Sequence, residues 1–316
     1  MRESNKQQEY IKKDQAETLR LRTSKMNSLV SRSGNTRSLT RVISFTSGKG
    51  GVGKTNTVIN TAISLAELGR SVLILDADLG LANVDVLLGL QTKFTLHDVI
   101  EGRCKISEIM VDGPSGITII PAASGIESMC ALDAEQRMSL MHAIEEIAIH
   151  YDYLLIDTSA GISPDVMQFN AAANEIVCVI TSEPTSLTDA YALIKVLAQN
   201  YSEKTISILA NNIQGTIMPV ADEAKAAFKR IQISVDRFLK HEQIRLKYMG
   251  YIPSDSLVTE SVRNQKGLMQ MYPSSNAGLA FMKFANKLDE DFTQHRVKGG
   301  MQFFFRQLME VSAYGS

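Results

Sequence analysis

Tryptophan is absent from this 316-residue chain, cysteine occurs three times, proline seven times, and neither sign of charge prevails. Each scarcity excludes something. Cys104, Cys130 and Cys178 lie far apart and form no CxxC pair, so small buried thiols in a reducing compartment are expected rather than metal ligands. No run of about 18 apolar residues occurs, which excludes a helix that spans a bilayer. The first residues, MRESNKQQEYIKKDQAE, are polar and carry acids, unlike a signal or transit peptide. Internal repeats and low-complexity tracts are missing. The formal charge is −1 and no basic stripe follows residue 41, which argues against DNA as the main partner.

What is present is an ordinary globular composition, 44% hydrophobic and 21% charged. The length suits one large α/β domain with appendages, or two small domains. Charge is unevenly spread: residues 1–41 hold ten Lys/Arg against four Asp/Glu, about +6, leaving about −7 elsewhere. Such an arm either meets a partner or is simply solvated. Residues 1–40 lack a sustained core pattern and read as a short helix near 8–20 followed by a flexible linker.

Order then begins abruptly. RVISFTS predicts a buried strand, and KTNTVINTAISLAELG a helix closed by Gly69. Further strand-like runs are SVLILDAD, 116–122, 151–161, 174–184 and 205–213, with helical stretches at 133–149 and 186–200 between several of them. The chain continues with a helical stretch at 217–239, a strand in LKYMGYIPSD and a helix at 275–292. Buried runs alternating with helices predict an α/β fold: a mainly parallel sheet covered by helices on both faces. Such sheets bind ligands beyond the carboxyl ends of their strands. Lys49 to Thr55, Asp76, Asp78, Asp157, Glu183 and Asn211 fall at those ends.

The stretch SGKGGVGKT carries the chemistry. Gly48-x4-Gly53-Lys54-Thr55, after a strand and before a helix, is a phosphate-binding loop in its required context. Its glycines let the backbone turn successive N–H groups toward phosphate oxygens, and the helix N-terminus adds partial positive charge. Lys54 is expected at the β- and γ-phosphates of ATP, and the Thr55 hydroxyl at Mg²⁺. Asp76 and Asp78 alternate at a strand end; one could hold a metal-bound water while the other faces the γ-phosphate. Asp157, at the end of an apolar strand, is the better metal candidate of Asp157 and Asp76.

A second lysine, Lys49, precedes the turn of the loop. With it, GKGGVGKT resembles the deviant Walker A motif of the MinD/ParA class of P-loop ATPases. DADLGLANVD and DTSAG resemble that class's two switches, and SEPTSLTDAYALIKVL matches a further segment. The resemblance runs from about residue 41 to 290. It implies an ATPase (ATP and water to ADP and phosphate) that forms an ATP-bound homodimer. Lys49 would then reach across to the neighbouring copy's phosphates, Asp78 would orient the attacking water, and Asn211 would recognise adenine. It also assigns the nucleotide cradle to Gly48, Lys49, Gly50, Gly51, Val52, Gly53, Lys54, Thr55 and Asn56.

Within that class, KTN in place of the commoner KTT and the full DADLGLANVDVLLGL resemble the FlhG (FleN) family, MinD-like ATPases that set flagellar number in bacteria. DQAETLR, residues 14–20, resembles the family's N-terminal activator helix, which stimulates the partner GTPase FlhF. The resemblance thus makes Asp14, Gln15, Ala16, Leu19 and Arg20 partner-binding. A flagellar transcription activator and flagellar switch proteins are further implied partners. Behind Gly299-Gly300, Phe304, Phe305 and Leu308 follow roughly helical spacing. This amphipathic C-terminal segment either lies in a membrane interface or packs on the core, and the resemblance favours membrane targeting from the cytoplasm when ATP is bound. The implied organisation is an activator segment and linker at 1–40, the ATPase domain at 41–292 and the membrane-targeting helix at 293–316. A regulatory module whose ATP dimer holds a transcription activator inactive, with hydrolysis of little account, is the competing reading. A MinD/ParA-type positioning ATPase is another.

Overall fold

The computed structural model describes residues 40–78, 83–122, 133–201, 205–216 and 218–294. The chain divides into a unit 1–38 and a unit 39–316, and every described residue belongs to the second. Its strands are β1 (Arg41–Ser47), β2 (Val72–Ala77), β3 (Val111–Asp112), β4 (Thr118–Ile120), β5 (Tyr153–Ala160), β6 (Glu175–Ile180), β7 (Thr205–Ile213) and β8 (Arg245–Pro253). They form one sheet in the order β3-β4-β2-β5-β1-β6-β7-β8. All neighbours are parallel except β3 with β4.

Seven helices longer than two turns are described: α1 (Lys54–Glu67), α2 (Ala134–Ala148), α3 (Pro164–Ala172), α4 (Pro184–Asn200), α5 (Val220–Phe238), α6 (Ser256–Arg263) and α7 (Asn276–Gln294). The strands are apolar on both faces because both faces are covered. Alternate residues of β1, Ile43 and Phe45, join α1 and α7 in one core layer, while Val42 joins the opposite layer with α2. Ile74 and Leu73 of β2 divide in the same way, as do Val177 and Cys178 of β6, the latter packing beneath α4 and α5. Cys178 is fully buried and its thiol is pushed up to about 12 by that burial, while Cys104 is half-buried and Cys130 lies outside the described residues.

Helix α7 closes the first layer and is also held by charge. Arg70 donates two hydrogen bonds to Asp289, at 2.8 and 2.9 Å, and Tyr153 donates to the same carboxylate at 2.9 Å. The Arg41 guanidinium, buried at the start of β1, joins Glu175 to the Leu288 carbonyl.

Central β1 lies between β5 and β6, and the chain passes from β1 to β2 on one side and reaches β6 on the other. That change of direction opens a crevice beyond the carboxyl end of β1, where the glycine loop begins.

Candidate nucleotide site

The loop leaves β1 at Ser47 and enters α1 at Lys54. Two constraints select its glycines. Gly53, the residue before α1, has φ 82°, and a Cβ there would stand 2.4 Å from the Asn211 amide nitrogen. Gly48 is required by close approach: a Cβ there would meet the Asp189 carbonyl carbon of α4 at 2.1 Å. Helix α1 has no side-chain cap and no acid in its first turn, so its leading N–H groups are available to an anion.

These elements enclose a cleft of about 330 Å³ lined by Gly50 to Asn56, with Ser47, Asp78, Asn83, Leu87 and Ala160 opposite. Lys54 is nearly buried, and its Nζ lies 2.5 Å from Oδ1 of Asp157, which is wholly buried. Burial raises the pKa of Asp157 above the ordinary carboxylate value, against the pull of the Lys54 ammonium and the Thr55 hydroxyl beside it. The second Asp157 oxygen is buried without a hydrogen-bond partner. An orphaned carboxylate oxygen beside a hydroxyl is a hard-oxygen donor set that fits Mg²⁺. No cluster of three acidic, histidine or cysteine ligands is found among the described residues.

The other predicted residues separate into distinct roles. Asp78 lines the cleft, and its Oδ1 accepts a hydrogen bond from Ser159 at 2.8 Å. Asp76 has no exposed surface, and its oxygens accept the N–H groups of Asp78, Asn83 and Val84 at 3.1, 3.1 and 3.2 Å. Burial and the Asp157 charge push it up to about 7. Both Asp76 oxygens thus accept backbone N–H groups of its own loop. Asn211, 9% exposed, donates from Nδ2 to the Val52 carbonyl at 2.8 Å, bracing the loop from behind.

Lys49 parts company with Lys54. It is outside the cleft lining, and its Nζ donates to Glu183 at 2.8 Å and to Thr185 at 2.9 Å, with the side chain 38% exposed. Nothing in the sequence singles out Ser159 or Thr185 as a partner of Asp78 or Lys49. The only local signal for Ser159 is a hydroxyl two positions beyond Asp157 on the same strand end. Asp14, Gln15, Ala16, Leu19 and Arg20, and Phe304, Phe305 and Leu308, lie outside the described residues. Among the described residues no helix is long and apolar enough to cross a membrane.

Comparison with known proteins agrees with this geometry. The AAA domain family matches residues 40–211. Antiactivator FleN of Pseudomonas aeruginosa is 44% identical over 276 residues, 87% of this chain and 96% of that protein. Flagellum site-determining protein YlxH of Helicobacter pylori is 31% identical over 275 residues, 86% of this chain and 90% of that protein. Among solved structures, septum site-determining protein MinD of Pyrococcus horikoshii, complexed with Mg-ADP, superposes with a TM-score of 0.62 at 27% identity, covering 80% of this chain and 97% of its own. The chain belongs to the MinD/ParA family of P-loop ATPases, in the branch that contains FleN.

Proposed function

We propose that the protein is a two-chain ATP switch acting on the number and placement of bacterial flagella. One observation carries the switch: a single loop holds two lysines with different fates. Lys54 is committed to the cleft, whereas Lys49 stands outside it on an exposed edge. A lysine so placed can serve the phosphates of a second copy, much as an arginine finger does. The flagellar assignment rests on the likeness to antiactivator FleN and to the site-determining protein YlxH.

Hydrolysis follows from the chain's own groups. The loop amides and the N-terminus of α1 would bind the β- and γ-phosphates, and Lys54 would neutralise them. Thr55 and Asp157 would hold Mg²⁺, which supplies charge neutralisation on the phosphates. Asp78, fixed by Ser159 through one oxygen, presents the other to the attacking water. Lys49, released from Glu183, completes charge compensation on the neighbouring copy. Phosphoryl transfer needs this positioning and electrostatics more than covalent chemistry.

Asp78→Ala tests the cycle. It should bind ATP and run as a dimer in size-exclusion chromatography with ATP and as a monomer with ADP. Its turnover should fall about 10²–10⁴-fold, the usual contribution of a group that handles the proton. The ATP form should also pellet with anionic vesicles while the ADP form stays in solution. A monomer in both nucleotides would sink the dimer switch, and equal pelleting would remove the membrane step. The same variant separates hydrolysis from binding: loss of flagellar gene repression in it would refute the reading in which the ATP dimer alone antagonises a transcription activator.

The reading extends to residues 14–20 as a stimulator of an FlhF-type GTPase. A peptide of residues 1–25 should accelerate GTP turnover by that partner, and Leu19→Ala or Arg20→Ala in the peptide should cancel the effect. Unchanged turnover with the intact peptide would remove this role.

A further inference from the structure

Asp76 has a job that nucleotide chemistry alone does not require. Its Oδ1 accepts the Asp78 N–H, and its Oδ2 accepts the N–H groups of Asn83 and Val84. One carboxylate therefore grips the backbone immediately before residue 79 and immediately after residue 82. Asn83 precedes the short helix Val84–Leu88 and makes no side-chain cap to it. Asp76 supplies, from the end of β2, an acceptor for the leading N–H groups of that helix at Asn83 and Val84. The groups fixed in this way matter to the cleft, because Asp78, Asn83 and Leu87 all line it.

We propose that Asp76 is a positioning residue for hydrolysis: its carboxylate staples the backbone at Asp78 to that at Asn83 and Val84, holding Asp78 and the Val84–Leu88 helix at a set distance from the phosphate loop. The inference rests on the role given to Asp78 above. Two features separate it from a metal-ligand role. Asp76 is outside the cleft lining with no exposed surface, and both its oxygens already accept backbone N–H groups. The neighbouring strand brings Asp157 into register beside it, so the staple and the Lys54–Asp157 pair share one stretch of sheet. Loop position and phosphate contact are thereby referred to the same two strands.

Asp76→Asn in the full chain tests this. The amide keeps one acceptor oxygen but sets an NH₂ group against backbone donors, so one end of the staple must open. The rate constant kcat should fall at least about tenfold, while KM for ATP and Kd for Mg-ADP stay within about threefold, the pattern of an interaction made only in the transition state. Backbone amides of Asp78, or of Asn83 and Val84, should exchange with deuterium at least about tenfold faster than in wild type. An unchanged kcat would overturn the proposal, as would a parallel loss of affinity and melting temperature, which marks a merely structural role. Recovery of kcat by excess Mg²⁺ would return Asp76 to the metal ligands. Should the variant not fold, exchange in wild type still decides: unprotected amides at 78, 83 and 84 would refute the staple. If Asp78→Ala hydrolyses ATP normally, the Asp78 role fails on its own, whatever the exchange pattern shows.

Discussion

Lys54→Ala should abolish ATP hydrolysis and also weaken the nucleotide-free fold, two effects with separate causes. Loss of turnover of at least about 10²–10³-fold follows from removing a preorganised cation aimed at the phosphates. The loss of stability comes from Asp157. With Lys54 gone, a wholly buried carboxylate has lost the cation 2.5 Å from its Oδ1. Breaking such a pair on one side costs about 3–5 kcal/mol at neutral pH, because the remaining carboxyl must either stay charged without its partner or keep a proton that the unfolded chain releases.

The sign of the pH dependence identifies the cause. Burial already raises the Asp157 pKa, and without the lysine only the Thr55 hydroxyl pulls against that rise. The folded variant then keeps a proton that the unfolded chain has released, so its stability should fall as pH rises from about 4 toward the folded pKa. Urea unfolding of wild type and variant at several pH values measures this. The double variant Lys54→Met/Asp157→Asn should recover most of the lost stability and none of the activity, since it removes both members of the pair. A single variant as stable as wild type across the pH range would show that the pair does not support the fold.

Much of this site was legible in the sequence, because the phosphate loop is a local object. Its glycines, Lys54 and Thr55 are contiguous, and the buried run before them and the helical spacing after them are readable by period. The core strands were legible for a similar reason: parallel strands covered on both faces are apolar throughout. Strand β3 was not, since two residues, Val111 and Asp112, carry no period at all. The chemistry of Asp76 was invisible for a different reason. An acid at a strand end gives no sign of the backbone amides it meets, because those of Asn83 and Val84 lie seven and eight positions further on. Asn211 behaves similarly, since nothing near it in sequence reveals that Val52 is its neighbour. The Lys49 partner lies 134 residues away, beyond any local pattern.

That distant contact bears on the remaining large effect, which is seen only when two defective chains are mixed. Lys49→Ala alone should bind ATP and fail to hydrolyse it, with a loss approaching the roughly 10³–10⁵-fold attributed to charge donated in trans. Releasing Lys49 from Glu183 costs little, because an exposed ion pair contributes about 0–1 kcal/mol. The lysine can therefore change partners when a second copy arrives. Asp78→Ala is inert for the complementary reason: it still carries Lys49 but lacks the group that orients water. In a mixed dimer, the site of the Lys49→Ala chain has its own Asp78 and receives Lys49 from the Asp78→Ala chain. Equal amounts of the two should regain about a quarter of wild-type turnover, since about half of two-fold symmetric pairs are mixed and one site in each is complete. If Lys49 served its own site, no mixed pair would hold an intact centre and the mixture would remain as inert as its parts. Steady-state phosphate release from the mixture, read against each variant alone at the same total concentration, distinguishes the two arrangements.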